Sequence, residues 1–149
     1  MIYRCAYFGL KELVSPVVYQ RWGEKAWMFF GENTLQDLDN IRNSWKSPII
    51  INNWFNGGNL KQCGLRSNLD QIPYNSTMKK ELYLSAHCMG KAFDLHDKLG
   101  RNKQLFEHVY SLIYAGKLKT FKRLENWNAT STSGGWVHVD TFQSEQIIF

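Results

Sequence analysis

Two short segments of the chain contain the residue types that bind a metal ion. In SAHCMGKAFD, a glycine turn separates His87 from Asp94, so the imidazole can lie in a loop while the carboxylate projects from the following strand. In WVHVD, His138 alternates with two valines and projects from the face opposite them. Two imidazoles and one carboxylate, with a fourth position open, are the ligands of a catalytic zinc site. The sequence therefore predicts one zinc ion per chain, bound by His87, Asp94 and His138.

These segments also resemble the signature of a known enzyme family. SAHCMGKAFD fits His-x-x-Gly-x-Ala-x-Asp and, together with WVHVD and the upstream GLRS, is similar to the zinc D-alanyl-D-alanine carboxypeptidases. That family shares its fold with D,D-dipeptidases, bacteriophage endolysin peptidases and the Hedgehog signalling domain, and the resemblance covers most of the chain. It implies a zinc metallopeptidase that cleaves peptidoglycan stem peptides, by carboxypeptidase or by endopeptidase action.

The resemblance implies roles for further residues. Arg66 in GLRS matches the substrate-binding arginine of the family, and Ser85 matches the serine two residues before the first ligand. A guanidinium at position 66 would bind a substrate carboxylate or the developing oxyanion. Trp136, on the face of His138, is a candidate for the substrate groove or for packing. His96, on the face of Asp94, is a candidate for contact with a metal ligand or with substrate.

The general base is the point at which the chain departs from the family. Many members have an acidic residue three positions before the second histidine ligand, but Gly135 occupies that position here. Strand alternation places two other carboxylates, Glu125 and Asp140, on a face where either could act as the general base. The sequence therefore leaves two candidate bases, of which we favour Glu125.

The preference for Glu125 depends on the register of a predicted hairpin. If the two strands pair Glu125 with Trp136 and Arg123 with His138, the carboxylate lies a short diagonal from the metal ligand. The same alternation predicts that Phe121 projects to the metal-binding face. A slip of one residue would move the carboxylate to the other face.

Three features of the sequence bear on other functions. Cys88 next to His87 suggests a cysteine nucleophile, as in Cys/His wall hydrolases, but the metal motif already uses that loop. The missing acid favours a non-catalytic structural or virion-associated protein that retains the fold and the zinc site. The net charge of +5 comes from scattered residues without a stripe of arginine and aromatic side chains, so we expect no specific nucleic-acid partner.

Composition and termini restrict the class of protein. The 149 residues, 44% of them apolar, predict a single domain over 1–149 and exclude disordered and collagen-like chains. Three cysteines without a CxxC pair argue against a disulfide framework. No apolar segment follows a basic one at the N-terminus, and no run reaches the ~20 residues of a membrane helix. We expect no signal peptide and no membrane partner, synthesis in the cytoplasm, and action on the cell wall after release or as part of a virion.

The elements that must position these residues follow from hydrophobic spacing and capping signals. The expected fold class is α+β, with helices packed on a small, mainly antiparallel sheet that carries the zinc site. The predicted elements are a helix from Pro16 to a stop at Gly23, a helix from Asn33 or Thr34 to Trp45, a doubly buried strand over 49–51, a long loop over 52–68, a strand over 91–96, a helix over 102–115 ended by Gly116, and a hairpin of 120–126 with 135–141.

Overall fold

The computed structural model describes the backbone of residues 1–149 and every side chain except that of Ser133. The fold is α+β, and most of the regular structure consists of short elements joined by 3-10 helices. The helices are α1 (Leu10–Leu13), α2 (Pro16–Trp22), α3 (Glu32–Trp45), α4 (Gln71–Met78), α5 (Asn102–Tyr114) and α6 (Trp127–Thr130). The strands are β1 (Ile49–Ile50), β2 (Ala92–Asp97), β3 (Arg123–Leu124) and β4 (Val137–Asp140).

The four strands form one antiparallel sheet in the order β1-β2-β4-β3. The two central strands, β2 and β4, carry the second and third predicted metal ligands. In their register Asp94 lies directly opposite His138. The sheet therefore brings together two side chains that are far apart in the sequence.

One apolar core lies between the sheet and the two long helices. Phe93 and Leu95 of β2 and Val137 and Val139 of β4 are fully buried, as their alternation predicted. Complete burial of each such side chain contributes roughly 1.5–3 kcal/mol. The helix residues that meet them are also buried, and these are Leu35, Leu38 and Ile41 of α3 and Leu105 and Val109 of α5.

The predicted helix ends are confirmed. The Ser15 hydroxyl accepts a hydrogen bond of 3.3 Å from the backbone N–H of Val18, and α2 ends at Gly23. Helix α3 begins at Glu32, one residue before the predicted range. After α5, Gly116 has a φ of +64° and ends the helix in the left-handed conformation.

Two strand predictions are corrected. The strand after Pro48 has two residues and lies at the sheet edge, where Ile50 is only half-buried, so it is not a strand buried on both faces. The predicted hairpin does form an antiparallel pair, but Arg123 lies opposite Asp140 rather than His138. The connection contains α6 and a 3-10 helix, and this local structure moves the pairing by two residues.

Phe121 is the third correction, because its side chain is in the core and not on the metal-binding face. It is fully buried, and its ring lies 6.2 Å from that of Phe93. Strand β3 begins only at Arg123, so the alternation does not extend back to position 121. The N–H of Phe121 instead donates to the buried carboxylate of Asp37, 3.2 Å away.

Among the described residues, no helix combines the length and the apolar character that crossing a membrane requires. The three cysteines, Cys5, Cys63 and Cys88, are all free thiols in the structure.

Candidate metal centre

The first predicted ligand, His87, lies in a 3-10 helix (Ala86–Met89) that ends at Gly90. The hydroxyl of Ser85 caps this turn by accepting the His87 N–H at 3.2 Å. Gly90 has a φ of +67°, and a Cβ there would lie 2.6 Å from the carbonyl oxygen of Phe29. Only glycine fits such a position without a backbone shift. Ser85 and Gly90 thus hold the first ligand in place from both sides.

The three predicted ligands converge on one point. His87 Nε2 lies 3.2 Å from His138 Nδ1 and 3.3 Å from Asp94 Oδ1, and the last two atoms lie 2.9 Å apart. In a tetrahedral zinc site with Zn–N bonds of ~2.0–2.1 Å, neighbouring ligand atoms are about 3.3–3.4 Å apart. The triangle of donor atoms therefore has nearly the size of one face of that tetrahedron, and the cluster can hold a metal ion.

The outer nitrogens of both imidazoles are also bound. His87 Nδ1 donates to the Gly64 carbonyl at 2.9 Å, and His138 Nε2 lies 3.3 Å from Asp140 Oδ2. In metal sites a ligating histidine almost always donates its other N–H to a carbonyl or carboxylate, which fixes the tautomer and the ring orientation. Burial lowers the pKa of His138, but the hydrogen bonds and charges of Asp140 and Asp94 outweigh it and raise that pKa to about 9. A bound metal ion would displace the proton from each inner nitrogen, and the lone pairs of the two inner nitrogens would then be directed at the centre of the triangle.

Arg66 binds the outer oxygen of the carboxylate ligand, Asp94. Its Nη2 donates to Asp94 Oδ2 at 3.2 Å, its Nη1 donates to the Tyr83 hydroxyl at 3.0 Å, and its Nε donates to the carbonyl of Gln62. Burial raises the pKa of Asp94, but the charges and hydrogen bonds of the two histidines outweigh it and hold that pKa well below its usual range. Arg66 leaves the other carboxylate oxygen, Oδ1, facing the two imidazoles.

Asp140 is an orienting partner of His138. Arg123 binds it through two hydrogen bonds, from Nε to Oδ1 at 3.0 Å and from Nη2 to Oδ2 at 2.9 Å. Burial raises the pKa of Asp140, but the bonds from His138 and Arg123 outweigh it and lower the pKa to about 2. So weak a base, held on the outer side of the imidazole, is poorly placed to take a proton from a water molecule in the site.

Glu125 lies next to the same strand in a different register from the predicted one. Its backbone N–H donates to the carbonyl of His138 at 3.2 Å, so it is opposite His138 and not opposite Trp136. Residues directly opposite each other in an antiparallel pair share a face. The half-buried Glu125 is outside the cluster of metal-binding groups, and its role as base stays a prediction.

Gly135, three residues before His138, has a backbone conformation that favours glycine. Its φ is +78°, and a Cβ would lie 2.8 Å from the ring of Trp127. Its carbonyl accepts a hydrogen bond of 2.9 Å from the side-chain amide of Asn102. Both the backbone conformation and the contact with Trp127 thus disfavour a larger residue at position 135.

A cavity of about 790 Å³ opens beside the metal centre. Arg66 and Asp94 line it at the metal centre, and His96 and the half-buried Trp136 also line it. His96 Nδ1 lies 3.3 Å from the carbonyl oxygen of Ile50, and burial lowers the pKa of its imidazole. The structure therefore places four candidates from the sequence on one cavity: Arg66, Asp94, Trp136 and His96. Ser85 is not in this described lining and caps the turn of His87.

The sequence-based interpretation missed three partners of the ligands: Arg123, Tyr83 and the carbonyl of Gly64. Alternation did place Arg123 on the metal-binding face, but its pairing with Asp140 depends on the register. Tyr83 is far from Arg66 in sequence, and a backbone carbonyl leaves no signal at all. The structure gives no support to Cys88 as a nucleophile, since burial raises the pKa of its thiol and the described lining of this cavity does not include it.

Comparisons of the chain with protein-family models, with curated proteins and with solved structures find no match. The function of the protein is therefore inferred from the motif residues and from the geometry of the metal centre.

Proposed function

We propose that this protein is a zinc-dependent peptidase that cleaves peptidoglycan stem peptides. The observation that carries the proposal is the triangle of His87, Asp94 and His138 beside an open cavity, with the outer nitrogens of both histidines bound. The resemblance of these segments to the D-alanyl-D-alanine carboxypeptidase and endolysin peptidase family supports the choice of substrate. Both D,D-carboxypeptidase and endopeptidase action are compatible with this site.

The donor set suits zinc, which accepts imidazole nitrogen and carboxylate oxygen in four-coordinate sites. Zinc bound by the three side chains would act as a Lewis acid that activates a water molecule and polarises the scissile carbonyl. Three protein ligands leave a coordination position open, as catalytic sites require.

Arg66 and Glu125 are the residues to which we assign binding and proton transfer. Three of the five N–H groups of Arg66 have protein partners, which leaves two for a substrate carboxylate or for the oxyanion. Glu125 would accept the proton of the attacking water and pass it to the leaving amine. Trp136 provides an aromatic wall of the cavity on which substrate can pack.

The basic charge of the protein agrees with an anionic substrate. The chain carries 18 Lys and Arg residues and 13 Asp and Glu residues, which gives a net charge of +5. Such a charge favours approach to the anionic cell wall through long-range attraction. We propose that the protein is made in the cytoplasm and reaches the wall after release or as part of a virion.

Digestion of purified peptidoglycan tests the proposal. Zinc-loaded protein should release new amines or D-alanine, and mass spectrometry of the products should identify the bond that is cut. His87→Ala and His138→Ala serve as controls, because each removes one ligand and should abolish the release. If the parent is inactive on peptidoglycans of every stem-peptide type, the proposed activity is wrong.

A non-catalytic role is the second candidate. An acid at position 135 would be strained and would meet the ring of Trp127, and Asp140 is bound by Arg123, so Glu125 is the remaining candidate of the three positions. A structural or virion-associated protein would keep the metal to stabilise the fold without turnover. Metal binding with tight adsorption to peptidoglycan and no product release would support this alternative.

A further inference from the structure

The cavity beside the metal centre has two positive charges that no neighbouring acid balances. Lys61 and Lys98 are exposed and line it, and neither makes an ion pair with any described residue. The cavity also contains two aspartates, but each of these has an arginine of its own. Asp94 pairs with Arg66, and Asp97 accepts hydrogen bonds of 3.0 and 3.1 Å from Arg101.

The position of the lysines relative to the metal centre follows from the backbone. Lys98 comes four residues after Asp94, and this separation corresponds to about 13 Å along an extended strand. Lys61 comes two residues before Cys63, whose carbonyl accepts the N–H of Asp94 at 2.7 Å. Consider an extended peptide whose scissile bond lies at the metal centre. The two ammonium groups are within reach of a substrate group that lies two to four residues from that bond.

The rest of the lining suits a peptide main chain. Gln71 and Asn59 are exposed and place amide groups in the cavity, and neither side chain has a hydrogen-bond partner among the described residues. Trp136 adds an apolar wall, and His96 adds an imidazole. Amides that both donate and accept match the alternating groups of a peptide, while the lysines only donate.

We infer that the cavity selects peptides with a free carboxylate two to four residues from the scissile bond, recognised by Lys61 and Lys98. The inference rests on the proposed function and specifies its substrate class. Ammonium groups form charge-assisted hydrogen bonds with a carboxylate but not with the corresponding carboxamide. Lysine acts as a mobile point charge, which suits a carboxylate on a flexible chain.

A pair of stem peptides tests the inference. They have the same sequence, and one carries a free carboxylate on its glutamyl residue while the other carries the carboxamide there. Calorimetry on the zinc-loaded protein should give a Kd about 3- to 10-fold lower for the acid at low ionic strength, the size expected for two exposed ion pairs. The preference should diminish as salt screens the charges.

Variants separate these lysines from the general positive charge of the protein. The double variant Lys61→Ala/Lys98→Ala should bring the ratio of the two Kd values close to one. Lys103→Ala, at an exposed lysine outside the cavity lining, removes one charge and should keep the ratio of the parent. If the ratio falls equally in Lys103→Ala, the selectivity comes from overall charge and the inference is wrong.

The outcomes distinguish this inference from the proposed function. Preferential binding of the acid without any cleavage would support the cavity assignment and overturn the peptidase. Cleavage with equal Kd and equal kcat/KM for acid and amide would support the peptidase and overturn the cavity assignment. Neither binding nor cleavage of either peptide would overturn both.

Discussion

Asp94 of β2 and His138 of β4 are direct neighbours across the sheet, and Asp94 Oδ1 lies 2.9 Å from His138 Nδ1. This single pairing brings the carboxylate and the second imidazole of the candidate metal centre together. A slip of one residue would turn one of the two side chains to the opposite face and separate the pair. The fully buried valines on either side of His138 oppose such a slip, because it would expose them.

The purified protein should hold about one zinc ion per chain. His87→Ala and His138→Ala should each lose it on dialysis against a mild chelator, because only two ligands remain. His108→Ala is the matched control, since His108 is a histidine of α5 that contacts Ser44 outside the metal centre. Full metal content in both ligand variants, measured by elemental analysis, would refute the assignment.

Arg66→Lys should retain zinc and lose activity by ~10²-fold or more. Lysine keeps a positive charge near Asp94, but it cannot reproduce the planar set of donors that bind Asp94, Tyr83 and a substrate together. Tyr83→Phe removes one partner of the guanidinium without changing its charge and should have a much smaller effect. Initial rates and zinc content of both variants check this, and activity of Arg66→Lys within about twofold of the parent contradicts it.

The two candidate bases should respond differently to neutral, equal-sized replacements. Glu125→Gln should reduce the rate by ~10²- to 10⁴-fold with zinc intact, since it removes the proton acceptor. Asp140→Asn should instead weaken zinc binding by ~10- to 100-fold, since it changes the outer partner of His138. Zinc titration together with rates at saturating zinc separates the two effects. If Glu125→Gln stays active while Asp140→Asn binds zinc fully and is inactive, Asp140 is the general base and the assignment to Glu125 is wrong.

Asp97 should make the free energy of unfolding depend on pH in the acid range. Burial raises the pKa of Asp97, but hydrogen bonds from Arg101 and Trp45 outweigh it and hold that pKa well below its usual range. The unfolded value is ~3.9, so the stabilisation is complete above that pH and disappears as the pH falls toward the lower folded value. Urea unfolding of parent and Asp97→Asn should differ by about 1–3 kcal/mol at pH 7 and converge below pH 3. A constant difference across this range would contradict the prediction.

Gly135→Ala should destabilise the protein more than Gly116→Ala. Both glycines have a positive φ, which costs an alanine about 1–2 kcal/mol, but only the Cβ at position 135 also meets the ring of Trp127. A Cβ at position 116 would meet open space, so Gly116→Ala measures the cost of the positive φ alone. Urea unfolding of both variants gives the comparison. Equal stability losses would show that Trp127 yields easily, and an acid at position 135 would then be tolerated.

Local patterns in the sequence were sufficient to identify a cluster that can hold a metal ion and much of the secondary structure. The capping of α2 by Ser15 and the end of α5 near Gly116 depend on residues within one helical turn, so they can be read without the fold. The spacing of His87, Asp94 and His138 also identified the cluster, because metal ligands must be of a few residue types.

The tertiary structure alone decided the partners of these ligands. The register of β3 depends on how α6 and the 3-10 helix fill the connection, and that register assigned Arg123 to Asp140 and Glu125 to the position opposite His138. The occupation of Arg66 by Asp94 and Tyr83 likewise needs residues that are distant in the chain. Such contacts depend on packing across the whole domain, whereas strand alternation specifies only which face a side chain occupies.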